Sequence, residues 1–214
     1  ALLIYDERNE VPFKHLSFQA YSTAYEFYHH RQTERNIFVS KFNKLWWQNV
    51  AIFYAGFSKD APILLDEIIE VGKNTTGIIP QFNVMTGLGR LMQSLYSTPI
   101  NNRVKGVCLT SELACSIVSD LITTKEEKFS MFKNFSRYGI YQMLLAGFEI
   151  SHHSITLQEP LKLAFDKLSR SLENSSDFSS SYQMFLIAAT MGNCSFLNFQ
   201  PYKYIIENVK TDDL

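Results

Sequence analysis

The sequence predicts an all-α chain, an irregular α-solenoid of paired helices with a short N-terminal β-hairpin. Apolar residues recur at three- and four-residue spacing through most of the chain, the period of a helix with one buried face. Only 9 Gly and 6 Pro interrupt its 214 residues, too few for an all-β chain of many turns. The 17 Phe and 11 Tyr suit the filling of space between stacked helices.

Leu2-Leu3-Ile4-Tyr5 and Val11-Pro12-Phe13 flank the polar loop Asp6-Glu7-Arg8-Asn9-Glu10, a hairpin pattern. Pro12 cannot donate to a ladder, so the second strand is expected at an edge. Ser17 fits as the N-cap of the first helix, and Leu16 and Tyr21 have the spacing of a hydrophobic staple. Residues 17–30 follow as a helix whose apolar face is Phe18, Tyr21, Tyr25 and Tyr28, with His29, His30 and Arg31 in its last turn. A long helix is expected over residues 34–57 on Phe38, Phe42, Leu45, Trp46, Val50 and Phe53, with Gly56 marking its end. Residues 61–71 form a shorter helix with Pro62 in the first turn, where a missing N–H costs nothing.

Residues 72–77 form the clearest loop. Helices are then expected over 80–96, 100–121, 125–149, 156–172, 179–191 and 201–208, with a Ser-rich polar connection over 173–181. Thr86-Gly87-Leu88-Gly89, Leu145-Ala146-Gly147-Phe148 and Ala188-Ala189-Thr190-Met191-Gly192 each place small residues where helices end and pack. Their uneven spacing fits degenerate, HEAT-like pairs.

Charge is balanced, with 20 basic and 21 acidic residues and no Lys or Arg run, so the electrostatic footprint of a nucleic-acid binder is missing. Cys108, Cys115 and Cys194 are an odd set without C-x-x-C spacing, which argues against a zinc site or a disulfide framework and for a cytoplasmic chain. Asn-x-Ser/Thr triplets at Asn74, Asn134, Asn174 and Asn193 would matter only in a secreted protein, and no signal peptide opens the sequence. No apolar run approaches the roughly 18 residues of a membrane span, and the richest, Val50 to Phe57, is too short.

At Phe13, His15, Ser17, Phe18, Gln19, Tyr21 and Ala24 the chain resembles the NACHT family of signal-transducing P-loop NTPases, in the STAND class. The segment ending the family's winged helix often reads F-x-H-[LS]-[ST]-F-Q-E-[YF]-x-A-A. The likeness continues more loosely through Leu45-Trp46-Trp47-Gln48-Asn49-Val50 and Tyr54-Ala55-Gly56, about the first third of the chain. Ala20 stands where the family usually has Glu, which removes one hydrogen bond of a capping box.

The resemblance divides the chain into residues 1–57, the end of a winged-helix hairpin with linking helices, and 58–214, a helical-repeat sensor or regulatory region. It implies that the chain is the C-terminal part of a larger protein. ADP or ATP and Mg would be held by an upstream NTPase core, with no cofactor in this part. His15 would reach the β-phosphate of ADP in that core, and a position just before a helix N-terminus suits an anion.

The residues themselves offer no enzyme. Thr86-Gly87-Leu88-Gly89-Arg90 has no preceding strand and no following Lys-Ser/Thr, so it is not a phosphate-cradling loop. Adjacent His29 and His30 diverge by about 100° and cannot share one metal. They suit the negative end of the helix that they close. His152-His153 is expected in a loop after Ile150, as a solvated turn rather than a ligand pair completed by a distant partner, since no Cys, Asp or Glu flanks it at ligand spacing. Asp66, Glu67 and Glu70, and the stretch Lys125-Glu126-Glu127-Lys128, read as solvated faces. Of Trp46 and Trp47, one is expected in the core and one at the surface, a hint of an interface.

The expected function is therefore a non-catalytic sensor or regulatory region of a NACHT-type NTPase of innate immune or anti-phage signalling. Its partners would be the upstream core and a sensed ligand, with no nucleic acid or membrane. The alternative is a free-standing HEAT-like scaffold.

Overall fold

The computed structural model describes residues 16–124, 129, 136–172 and 178–193. The expected hairpin, His15, the stretch 125–128 and the expected helix over 201–208 lie outside the described residues. The described residues are all-α. In chain order the helices are α1 (Leu16–His29), α2 (Asn36–Val39), α3 (Leu45–Ser58), α4 (Pro62–Lys73), α5 (Ile78–Ser94), α6 (Ile100–Thr123), α7 (Arg137–His152), α8 (Gln158–Leu172) and α9 (Phe178–Asn193). Short 3-10 turns precede α2 and α8.

The helices sort into two layers. α1, α3, α5, α7 and α9 each pack on the next in that order, and α2, α4, α6 and α8 do the same in the second layer. Side-chain contacts fix the direction within a layer. Gln48 early in α3 bonds to Asn83 early in α5, and Gly147 and Ser151 late in α7 meet Phe82 and Gly89 of α5 in the same order. Asp66 of α4 meets Asn102 of α6, and Gly72 meets Leu109. Helices within a layer are therefore parallel to one another and antiparallel to the other layer, the arrangement of an α-solenoid. The pairs α3/α4, α5/α6 and α7/α8 differ in length, which makes the array irregular.

α6 is the central helix, packing on α4, α5, α7, α8 and α9. With 24 residues and a mean hydropathy of 1.4 over its best window, it is long and apolar enough to cross a membrane. Its apolar length is taken up by the neighbouring helices, since Val104, Val107, Leu109, Leu113, Ala114, Ile117, Val118 and Leu121 are all buried.

Local chemistry sets most helix ends. Pro62 opens α4 at its first position. Gly77, at φ 88, turns the chain into α5 through a backbone conformation that L side chains rarely adopt. The Ser136 hydroxyl caps α7 by accepting from the Gly139 N–H at 3.2 Å. α3 ends not at Gly56 but at Lys59, a non-glycine residue in the left-handed region at φ 59, whose N–H donates to Ala55 O at 2.7 Å.

The long helix expected over residues 34–57 is broken. α2 is one turn, and residues 40–44 swing the chain from the second layer into the first before α3 begins. The carbonyls released by the break are satisfied by side chains: Phe42 O accepts from Gln48 Nε2 at 3.0 Å, and Asn43 O accepts from Asn83 Nδ2 at 3.0 Å. An unbroken helix of that length would run about 36 Å at 1.5 Å per residue, well past its neighbour α5.

α1 also departs from expectation. It is already helical at Leu16, so Ser17 lies inside its first turn rather than capping it. Leu16 and Tyr21 are 69% and 44% exposed, which leaves no buried staple. The buried stripe is Ala20, Ala24 and Phe27, not the aromatic one. Two alanines let α1 approach α3 closely, and the rings of the expected core face are displaced to the flank.

Candidate functional site

The Thr86–Arg90 stretch, expected near a helix end, lies in the middle of α5 and carries its two closest approaches. A Cβ on Gly87 would lie 2.6 Å from Gln48 Oε1, and one on Gly89 would lie 2.6 Å from Ser151 O and 2.7 Å from His152 Cε1. The two glycines thus let α3 and α7 bring polar side chains against the α5 backbone from opposite flanks. On the α3 side, buried Gln48 donates to Phe42 O and, at 2.6 Å, to Asn83 O, while its Oε1 accepts from Arg90 Nη2 at 2.9 Å. Every polar atom of that side chain is paired.

On the α7 side stands His152, the last residue of its helix and completely buried. This overturns its reading as part of a solvated turn; only His153 of the pair is exposed. The ring stacks on Phe148 with centroids 3.9 Å apart and planes 5° off parallel. Nδ1 lies 2.9 Å from Phe148 O and 2.9 Å from Ser151 Oγ, and Nε2 lies 3.0 Å from Thr110 Oγ1. A carbonyl can only accept, so the neutral ring carries its hydrogen on Nδ1 and Nε2 accepts from the Thr110 hydroxyl. That hydroxyl also faces Val107 O at 2.8 Å, so its one hydrogen has two acceptors. Burial pushes the His152 pKa down to about 4, against the opposing pull of the Phe148 carbonyl, and the imidazole is neutral at pH 7. Gln93 Nε2 and Ser151 O, at 2.7 Å, close the seam toward the end of α5.

These groups hold helices together. Among the described residues no three His, Cys, Asp or Glu side chains converge at metal-binding distance. The acidic residues of α4 are not simply a solvated face. Asp66 accepts from Asn102 at 2.9 Å and pairs with Lys105, and Glu67 accepts two bonds from Arg35, each at 2.8 Å, tying α4 to α6 and to the start of α2. Glu70 pairs with Lys73. An open cleft of about 510 Å³ lies beside them, lined by Ser40, Asn43, Glu70, Val71 and residues 74–76.

α1 carries an aromatic flank. Phe18, Tyr21 and Tyr25 are each between 42% and 45% exposed. They continue into half-buried rings of α3: Tyr21 meets Phe53 and Phe57 edge-on at 5.6 and 5.3 Å, and Tyr25 meets Phe57 at 6.0 Å. Tyr25 also lies 4.2 Å from His29, so the His29-His30 end of α1 belongs to the same surface. Such rings present broad, rigid, amphipathic area, the chemistry of protein interfaces. Trp46 and Trp47 do not divide into core and surface as expected. Both are half-buried, edge to face at 4.6 Å, with the Lys41 ammonium 4.9 Å from the Trp47 ring.

His15, the one residue expected to touch nucleotide, lies outside the described residues. Sequence reasoning missed Gln48, Arg90 and the seating of His152. The available signal was the Gly-x-Gly pair inside a strongly helical window, where glycine otherwise weakens the helix. Compared with known proteins, the chain matches no family model, no curated protein and no solved structure.

Proposed function

We propose that the chain is a non-catalytic helical sensor or regulatory region of a NACHT-type signal-transducing NTPase, and that the α1–α3 aromatic flank is its seat for the upstream core. The observation that carries this reading is the half-exposed stripe Phe18, Tyr21 and Tyr25 on the first helix of the array. Phe18 and Tyr21 belong to the Phe13–Ala24 pattern that resembles the end of the family's winged helix, and Tyr25 directly follows it. The polar side chains farther along are engaged in holding helices, which supports a recognition role for the surface over a catalytic one for the interior.

In this reading the nucleotide and Mg sit in the upstream core, His15 holds the β-phosphate of ADP in the closed state, and the whole protein works in the cytoplasm in innate immune or anti-phage signalling. A sensed ligand opens the protein only by binding the open state more tightly, since equal affinity shifts nothing.

The test has two parts. Reading the gene upstream of Ala1 should give a phosphate-cradling Gly-x-x-x-x-Gly-Lys-Ser/Thr motif. In the whole protein, Tyr21→Asp with Tyr25→Asp should speed ADP release and raise basal signalling, as should His15→Ala. No such motif upstream would make the flank the seat of a separate protein, as in a free-standing scaffold. Unchanged ADP retention in folded variants would remove the proposed contact.

A further inference from the structure

α5 is recessed between its neighbours in the first layer. No residue from Pro80 to Leu95 is exposed, whereas α3 exposes Leu45 and Gly56 on one side and α7 exposes Ala146 and Ile150 on the other. The helix therefore floors a trough walled by α3 and α7, a concave surface of the sort that solenoids use for binding. Thr86, Arg90 and Gln93, at i, i+4 and i+7, are half-buried and share one side of α5. That side is turned away from the buried stripe Val84, Leu88 and Leu91.

The trough is nearly without charge. α3 has no Asp, Glu, Lys or Arg among its 14 residues, and α5 has only Arg90 among its 17. No carboxylate occurs in residues 35–59 or 71–111. On the other wall, Glu149 is two residues from both Gly147 and Ser151, which meet α5. At 3.6 residues per turn it stands about 200° around α7 from them.

Arg90 is the anomaly in this setting. Of the other half-buried arginines, Arg35 is held by both oxygens of Glu67, and Arg103 donates to two carbonyls. Arg90 makes one hydrogen bond, through Nη2 to the neutral amide oxygen of Gln48 at 2.9 Å. A guanidinium has five donors and does not lose its charge. Holding such a cation away from most of its water with no anion beside it is costly. Gln48 positions the group without neutralising it.

We infer that the trough binds a partner polypeptide segment of neutral side chains bearing one carboxylate, which pairs with Arg90. One guanidinium matches one carboxylate in charge and in the two parallel N–H···O bonds of a forked pair. A phosphate carries nearly two charges and calls for further cations or free backbone N–H groups, and the interior of α5 offers neither. The trough is separate from the aromatic flank of the first helix pair. α3 lies between them, with Phe53 and Phe57 turned toward α1 and Gln48 toward α5. The inference stands whether or not the upstream core is of the NACHT type.

The test uses the full chain, isotope-labelled so that the Arg90 Nε–H resonance can be followed by NMR. The probes are acetyl-Leu-Asp-Leu-amide, acetyl-Leu-Asn-Leu-amide and inorganic phosphate. The Asp probe should move the Arg90 resonance to saturation. The Asn probe should need a concentration at least ~tenfold higher, the share of a hydrogen bond to a charged group. Arg90→Gln should abolish the difference between the two peptides while the other amide resonances keep their dispersion. Tyr21→Asp with Tyr25→Asp, aimed at the flank proposed for the upstream core, should leave the titration as it was, so the two proposals fail separately. No saturable response, or an equal response to the Asp and Asn probes, overturns the inference without any variant having to fold. Tighter binding of phosphate than of the Asp probe overturns it too. So does a preference for Asp that survives Arg90→Gln or is lost with the two tyrosine changes.

Discussion

The centre of the array and its first helix pair solve the same packing problem with opposite materials. Around α5, glycines at 87 and 89 let backbones come close, and the space that a side chain would fill is taken by Gln48 and His152. Between α1 and α3, alanines at 20 and 24 bring the helices together and aromatic rings seal the flank. Buried polar groups demand complete pairing, so the centre admits few alternatives. A ring-lined flank tolerates substitution and remains available to a partner. The difference assigns specificity of fold to the centre and recognition to the first pair.

The sharpest way to break that contrast is Gly89→Ala. Its Cβ would meet the Ser151 carbonyl at 2.6 Å, a backbone atom that cannot swing aside, as well as the His152 ring. Overpacking of this kind costs about 1–3 kcal/mol, and separation of α7 from α5 would also open the His152 and Gln93 hydrogen bonds. The total should reach about 3–4 kcal/mol, read as a drop in the urea midpoint. An unchanged midpoint would mean that α7 is not seated on α5 as described.

Acid should attack the same place. The folded His152 pKa of about 4 lies below the 6.5 of an unfolded imidazole, so the unfolded chain binds a proton more readily. The stability from keeping the ring neutral is complete above pH 6.5 and is lost as pH falls from 6.5 toward 4. The shift corresponds to about 3 kcal/mol. Unfolding free energy measured at pH 7 and pH 4.5 should show most of that loss, and His152→Phe should flatten the slope over this window. A slope that survives His152→Phe would place the titrating group elsewhere.

How much of this was legible in the sequence depends on how local each signal was. Pro62 and the 3.6-residue period are local, and they located α4, α5, α6, α8 and α9 to within a few residues. The break at residues 40–44 carries no Pro or Gly. It is stabilised by Gln48 and Asn83, six and forty residues from the carbonyls they satisfy, so no local pattern announced it. The face of α1 failed for a related reason. Periodicity marks two apolar stripes there, and small size rather than hydrophobicity decided which went inward. His152 looked like a solvated turn because its environment comes from α5 and α6, far away in sequence.

Gln48→Leu tests whether the polar pairing is what holds α3 to α5. Leu nearly preserves volume but leaves the Phe42 carbonyl and the Arg90 guanidinium short of a partner. Leaving such groups unpaired costs about 1–3 kcal/mol, and thermal unfolding should move down accordingly. If Arg90 swings out to water the loss falls to the lower end, and the double variant with Arg90→Met should then recover part of it. No loss at all would show that close backbone approach, and not Gln48, joins these helices.

The smallest expected effect has the opposite sign and comes from the first pair. Gly56 of α3 has nothing within 4 Å of where a Cβ would stand and is exposed, so Gly56→Ala meets no obstacle. Alanine is favoured over glycine by about 0.8–1.0 kcal/mol in a helix interior. Gly56 lies two residues before Ser58, the end of α3, where fraying reduces that gain to about 0.5 kcal/mol. The same change thus stabilises at position 56 and destabilises at position 89, although both glycines are helical. Paired thermal melts of Gly56→Ala and Gly89→Ala should move in opposite directions. A loss at position 56 would mean that the α3 end is packed against something the open surface does not reveal, and the upstream partner proposed for the aromatic flank would be the first place to look.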